Sequence, residues 1–270
     1  MVAFNGGLTE QYGVYSATVI IHIAGLLLIV IMAIVSRDNP FSRRQAWFLY
    51  LGGAIGVMTT VFNNLAFSRI SVSSILALGL FGQSITGLIV DRYGLMNMPK
   101  HTFQKRKICG LFLVFCGIIS MTNNFDVLAV LVSFFAGVNI VISRTLNARL
   151  AGLTSVCTST FYNYLIGLLM AIPVCFLFGG NEAAFAGFVF SPRIYIYLGG
   201  ILGVCVVLLS NITVAKISAF YLSLFLFIGQ VFSGIVIDMV ISRTFSPRNM
   251  VGGIFVAAGL CINLLLDRKK

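Results

Sequence analysis

Acid is the scarcest chemistry in this sequence. Asp and Glu together number 7 in 270 residues, His numbers 2 and Trp 1, and charged residues of all kinds make up 9%. Soluble domains carry about 25% charged residues, so this composition cannot build a water-facing surface. Paired-carboxylate catalysis and histidine-rich metal chemistry each need several such groups converging on one point. The two histidines, His22 and His101, are far apart in the chain, and His101 sits in a basic stretch. A membrane-embedded enzyme is therefore disfavoured, and neither a metal nor another cofactor is expected. The six cysteines lie inside apolar runs with no C-x-x-C pair, which reads as packing rather than disulfide or metal chemistry. A phosphate loop is missing too. GGAIG (Gly52 to Gly56) and GGILG (Gly199 to Gly203) lack the Lys-Ser/Thr such a loop needs and sit in apolar runs, so they read as close helix-packing steps. Met1 opens on VAFNGGLTEQ, with no basic residue before the first apolar run, so no cleavable signal is read.

What is abundant is apolar surface. Hydrophobic residues make up 59% of the chain and its mean hydropathy is +1.03. A membrane helix needs about 20 mostly apolar residues. Such runs occur at about 13–35, 46–67, 73–91, 108–123, 127–146, 153–177, 194–214, 218–241 and 249–266. They are too long, and alternate too little, for barrel strands. The expected fold class is an all-α polytopic membrane protein with about nine transmembrane helices. An odd number puts the termini on opposite sides. With the C-terminal DRKK inside, only Arg69, Arg193, Arg243 and Arg248 face out and the other fourteen of the 18 basic residues face the cytoplasm. The N-terminus is then outside. The net charge of +11 belongs to cytoplasmic loops, so the partners expected are membrane lipid and a small-molecule solute, not nucleic acid. A homodimer stays open.

The chain is written twice. Tyr50-Leu-Gly-Gly meets Tyr197-Leu-Gly-Gly, Asn64 meets Asn211, Gly82-Gln83 meets Gly229-Gln230, Gly87 meets Gly234 and Asp91 meets Asp238, all at one offset. Slightly upstream, Asn5 meets Asn147, Thr18 meets Thr160, His22 meets Tyr164 and Gly25 meets Gly167. The first repeat is placed at 1–125 with four helices and the second at 126–270 with five. The counterpart of 127–146 falls ahead of Met1, and only its tail around Val2–Asn5 is present: either the protein has nine helices, or its start lies about 20 residues, one span's worth, further upstream. Five helices is an odd number, so the two copies enter the membrane with opposite orientation, a plan of secondary transporters whose site lies near the midplane.

NARL (Asn147 to Leu150), then a span with Gly167 at its middle, YLGG-x-x-G, the Gly-Gln pair and a closing Asp together resemble the YdcZ-like family. That family comprises bacterial inner-membrane exporters of the drug/metabolite transporter superfamily. The resemblance covers nearly the whole chain as two tandem five-helix units. It implies an inverted-repeat helical bundle with a central cavity and a secondary transporter, and it names no cargo.

Polar groups inside the spans are the site candidates, because an amide facing lipid forfeits its hydrogen bonds. Gln83 and Gln230 sit near the centres of their spans, and Asn139 near the centre of its own. His22, Ser159, Tyr162, Asn163 and Tyr164 complete the cavity candidates. Asp91 and Asp238, in the last turns of their helices at the headgroup boundary, and Glu10, ahead of the first span, are gate or boundary candidates. Asn64 and Asn211 read as capping or loop residues, and Asn5 and Asn147 as caps at helix junctions. No Asp or Glu lies at mid-membrane in any expected span, which favours a neutral or amphipathic solute. The alternative reading is a non-transporting membrane partner subunit with a degenerate transporter fold.

Overall fold

The computed structural model describes residues 1–97, 126–180, 189–214, 216–217 and 247–267, with scattered positions between 110 and 117 and between 226 and 240. Among them there are helices and turns and no strand. The helices are α1 Val2–Tyr12, α2 Val14–Val35, α3 Leu51–Phe67, α4 Val72–Tyr93, α5 Val127–Leu153, α6 Val156–Phe178, α7 Leu198–Val214 and α8 Pro247–Asp267. A 3-10 turn leads into α3 (Trp47–Tyr50) and another into α7 (Ile194–Tyr197).

Six helical stretches among the described residues are long and apolar enough to cross a membrane: Val14–Val35, Trp47–Phe67, Val72–Tyr93, Val127–Leu153, Val156–Phe178 and Ile194–Thr213. They coincide with six of the nine expected spans. The expected span 249–266 falls on α8, whose apolar stretch is the shorter Met250–Gly259. Most of 108–123 and 218–241 lies outside the described residues, as does His101. Large apolar side chains point outward along the spans, as a lipid solvent allows: Leu27 is 62% exposed and Leu177 76%.

Local chemistry sets the helix ends. Gly13 breaks α1 from α2 at φ 83, a left-handed conformation that L side chains avoid. Ser71 caps α4 by accepting the Ser74 N–H at 3.2 Å, and Gly94 closes the same helix at φ 61. Ser155 caps α6 by accepting the Thr158 N–H at 2.9 Å.

The chain divides into two compact units. One holds Met1–Ser68 and Asn139–Ile217, the other Arg69–Val138 and Ser218–Lys270, so each draws on both expected repeats and α5 passes from the second unit into the first. In the first unit, α2 and α6 run antiparallel. The Tyr15 ring, at the start of α2, stacks on Phe178, at the end of α6, with centroids 6.3 Å apart. At the other end, Asp38 accepts from the hydroxyls of Ser155 and Thr158. Toward the Tyr15–Phe178 end, Val19, Val57, Val61, Ala171 and Cys175 form one apolar cluster, and Leu8, Ala17, Ile21 and Ile196 form another in the same unit.

In the second unit, α4 meets residues 127–138 of α5 through glycine. A Cβ on Gly137 would lie 2.7 Å from the Gly79 carbonyl carbon and 2.9 Å from the Gln83 nitrogen, so the backbones touch. Asp126 starts α5 by accepting the Ala129 N–H at 3.0 Å and pairs with Arg69 at 2.8 Å.

Candidate functional site

The candidates divide between the two units. In the first unit, the glycines of the two YLGG steps set up helix crossings, and the polar side chains fill them. A Cβ on Gly53 would lie 2.5 Å from the Asn163 carbonyl oxygen and 3.0 Å from the Gly167 nitrogen, so α3 crosses α6 there in backbone contact. The duplicate crossing is matched atom for atom: Gly200 of α7 abuts the Ile21 carbonyl oxygen and lies 3.1 Å from the Gly25 nitrogen of α2, again measured from a Cβ position. Gly52 abuts the Asn147 amide oxygen, and Gly199 abuts that of Asn5. The ring of Tyr164 fills the notch at Gly25, and the ring of His22 fills the notch at Gly167, with Nε2 2.7 Å from a Cβ placed there. The two rings tilt against each other at 5.9 Å.

A chain of hydrogen bonds runs through the same crossings. Ser143 donates to the Gly52 carbonyl at 2.7 Å, Asn147 Nδ2 donates to Asn163 Oδ1 at 2.8 Å, and Ser159 donates to the Asn147 carbonyl at 2.6 Å. Asn64 Nδ2 donates to Thr18 Oγ1 at 3.2 Å, and its duplicate Asn211 donates to Thr160 Oγ1 at the same 3.2 Å. Each threonine in turn donates to the carbonyl four residues back, Val14 or Val156, at 2.8 Å. Asn5, Asn64, Asn147 and Asn211 are therefore buried side chains inside helices, and the last three bridge helices, instead of the caps and loop residues that their sequence positions suggested. Position along the chain marks a helix end poorly where helices overrun the apolar stretch, as α5 does to Leu153.

The expected polar patch on α6 is split by the 100° step of the helix. Ser159 and Asn163 face α5, and Tyr164 faces α2 and α7 with its hydroxyl 3.4 Å from the Gly200 carbonyl. Tyr162 points elsewhere, into a ring cluster with Tyr50 at 4.5 Å and Phe41 at 6.2 Å. His22 Nδ1 donates to the Thr18 carbonyl at 2.8 Å, which makes Nε2 the acceptor nitrogen of the neutral ring. Asn139 is half-buried, and its amide nitrogen is buried with no hydrogen-bond partner. Glu10 is exposed on α1, away from this network.

In the second unit, Gln83 is 2% exposed within α4. Asp91 is 5% exposed in the last turn of the same helix. That is the helix-end position expected for it, and α4 continues past it to the Gly94 cap. Gln230 is half-buried in a helical segment, and Asp238 lies outside the described residues. Sequence reading missed Ser143, which ties α5 to α3 and has no polar counterpart in the first repeat; its placement one turn before Asn147 on the same face was the available signal.

Long apolar helices joined through buried polar crossings define a multi-pass membrane protein. A family model described as "Putative inner membrane exporter, YdcZ" matches residues 1–120 and again residues 128–262. The chain belongs to that family, and is accordingly a multi-pass inner-membrane protein of the transporter kind. No curated protein matches it. Among solved structures, one described as "Crystal structure of protein" is 13% identical, covers 99% of this chain and 95% of that one, and superposes with a TM-score of 0.65, a likeness of fold.

Proposed function

We propose that the chain is a secondary transporter that exports small neutral or amphipathic solutes by alternating access between two inverted repeats, with its N-terminus outside and its C-terminus in the cytoplasm. The observation that carries this reading is the relation of α2 to α6. These duplicate helices run antiparallel, and each inserts its aromatic ring, His22 or Tyr164, into the other's glycine notch. Reciprocal contacts of this kind suit a twofold arrangement, and antiparallel partners are what an axis in the membrane plane requires, which supports the inverted reading. An arrangement that looks alike from both sides can open to either with little change in packing energy.

The residues we assign to the solute are Asn139, with its unpartnered buried amide, and the Gln83 and Gln230 pair. A buried donor without a partner costs about 1–3 kcal/mol, a cost that a bound polar group removes. His22, Asn163, Ser159 and Tyr164 support the crossings and shape what lies beside them, and Asp91, Asp238 and Glu10 stay assigned to gates. The test is a panel of labelled solutes in proteoliposomes. For a transported solute, Asn139→Ala, Gln83→Ala and Gln230→Ala should each weaken binding by about tenfold, the loss of one good hydrogen bond to ligand. Unchanged flux in all three would remove those residues from the site. No flux for any solute, together with a copurifying membrane subunit, would favour the non-transporting partner reading.

A further inference from the structure

The twin crossings of the first unit are built alike and finished differently. Where α7 crosses α2, the Tyr164 ring lies in the Gly25 notch and its hydroxyl reaches on to Gly203, 2.5 Å from a Cβ position there. Met1 Sδ stands 3.4 Å from the same position, so the notch at Gly203 is closed. Where α3 crosses α6, the equivalent ring is His22, in the Gly167 notch, and the equivalent glycine is Gly56. An imidazole is shorter than a phenol by a C–O bond and part of a ring. Among the described residues, only Asn163 Oδ1 at 3.7 Å and Ser143 Oγ at 3.8 Å come within 4 Å of a Cβ on Gly56, both at ordinary contact distance. The place that the Tyr164 hydroxyl fills in one crossing is open in the other.

The atoms around this opening have hydrogen-bonding capacity left over. His22 is 4% exposed and Asn163 8%. His22 Nδ1 is taken by the Thr18 carbonyl, which leaves Nε2 as an acceptor. A Cβ position on Gly167 is 2.7 Å from that Nε2 and 3.5 Å from the Gly53 carbonyl oxygen, so the ring edge borders the Gly53–Gly56 turn of α3. Asn163, one turn before Gly167 on α6, accepts from Asn147 through Oδ1 and keeps Nδ2 as a donor. Among the described residues neither Nε2 nor Nδ2 has a hydrogen-bond partner. Buried polar groups are nearly always satisfied, so a donor and an acceptor left open on adjoining turns point to a ligand. A hydroxyl satisfies both, accepting from the amide and donating to the imidazole. An ammonium cannot accept, and a carboxylate cannot donate to a neutral imidazole. The twin notch agrees, since its occupant is a phenol hydroxyl.

We infer that the Gly56 notch is a subsite for a hydroxyl group of the solute, with Asn163 donating to it and His22 accepting from it. It favours aryl or alkyl alcohols over apolar molecules of the same shape. That the hydroxyl belongs to a carried solute rests on the transporter reading; the binding itself does not.

The probe is p-cresol, the tyrosine side chain as a free molecule, with toluene as the analogue that lacks the hydroxyl. Residues 1–270 in lipid nanodiscs, labelled with nitrogen-15 at histidine, carry two imidazoles, and the signal lost in His22→Tyr identifies His22. Millimolar p-cresol should shift the His22 Nε2 resonance saturably, and toluene should leave it in place. Binding of radiolabelled p-cresol above that of empty nanodiscs should fall by about tenfold or more in two variants. In Gly56→Ala the added methyl occupies the notch, and in His22→Tyr the phenol supplies the hydroxyl from within, as Tyr164 does in the twin. Size-exclusion profile and helix content will show that each variant folds; should one fail to, the other and the resonance shift decide. An unmoved Nε2 resonance, an equal shift with toluene, or undiminished p-cresol binding in a folded variant overturns the subsite and leaves the notch to water. Absence of p-cresol flux beside intact binding would count against alternating access and not against the subsite.

Discussion

At the scale of single residues, the buried amides decide how rigid the first unit is. Asn147 joins Asn163 at 2.8 Å, holds Ser143 at 3.4 Å and abuts Gly52, so one side chain ties α5 to both α3 and α6. In a membrane such a bond competes with few alternatives, yet interhelical hydrogen bonds there average about 0.6 kcal/mol and reach about 1.7. A double-mutant cycle of Asn147→Ala and Asn163→Ala, read by denaturant unfolding in mixed micelles, should give a coupling within that range, and zero coupling would break the assignment. That Asn163 sits inside a span was legible in the sequence, whereas Asn147 read as a cap at a helix junction. Their partners were not legible, because the choice between capping and bridging depends on how far each helix runs past its apolar stretch. The split of Tyr162 from Ser159 and Asn163 could have been read from helical angle alone.

At the scale of elements, glycine position controls where helices cross. Gly53 has backbone atoms of α6 at 2.5 and 3.0 Å from its Cβ position, whereas Gly152, exposed near the end of α5, has nothing within 4 Å. Alanine at Gly53 must push α3 off α6 and should cost about 1–3 kcal/mol, as overpacking does. Alanine at Gly152 meets open space and should be neutral or stabilising by up to about 1 kcal/mol through helix propensity. Equal effects at both sites, measured by the same unfolding assay, would show that the crossing tolerates separation. The GG steps were legible as packing surfaces, but nothing in the sequence distinguishes Gly82, which α5 touches, from its duplicate Gly229, which has nothing within 4 Å of its Cβ position; they differ only in what lies opposite. The start of α5 responds to pH for a separate reason. The Ala129 N–H, and then the Arg69 guanidinium, hold the Asp126 carboxyl below its usual range. A carboxyl depressed in the folded chain stabilises it above the unfolded pKa, and that contribution is lost as pH falls through the folded value. Acidification through and below the ordinary carboxylate range should therefore lower the amide protection factors over Val127–Leu131, and Asp126→Ala should make them low at neutral pH and flat across the same window.

At the scale of the whole molecule, the charge pattern argues for one orientation of the chain, and the internal duplication argues separately for two copies inserted in opposite senses. The charge argument counts fourteen basic residues against four, a bias that flips sign if the chain is turned over. The duplication argument needs an odd number of spans between equivalent points, and the antiparallel course of α2 and α6 is what an odd number produces. Both were legible before any coordinates, since they need only the order of spans and the register of repeated residues; the depth of each polar group in the bilayer was not. Single-cysteine labelling separates the two arguments once the six native cysteines are replaced by Ala or Ser. Asn39 follows α2 and Arg69 follows α3, both on exposed ground. Asn39→Cys should react with impermeant maleimide only from the cytoplasmic face and Arg69→Cys only from outside, while tags at Met1 and Lys270 report outside and inside. Reversal of all four sites would refute the charge argument and leave the inverted repeats standing. Labelling of the tags at Met1 and Lys270 from the same side would mean an even number of crossings and would overturn the nine-span count.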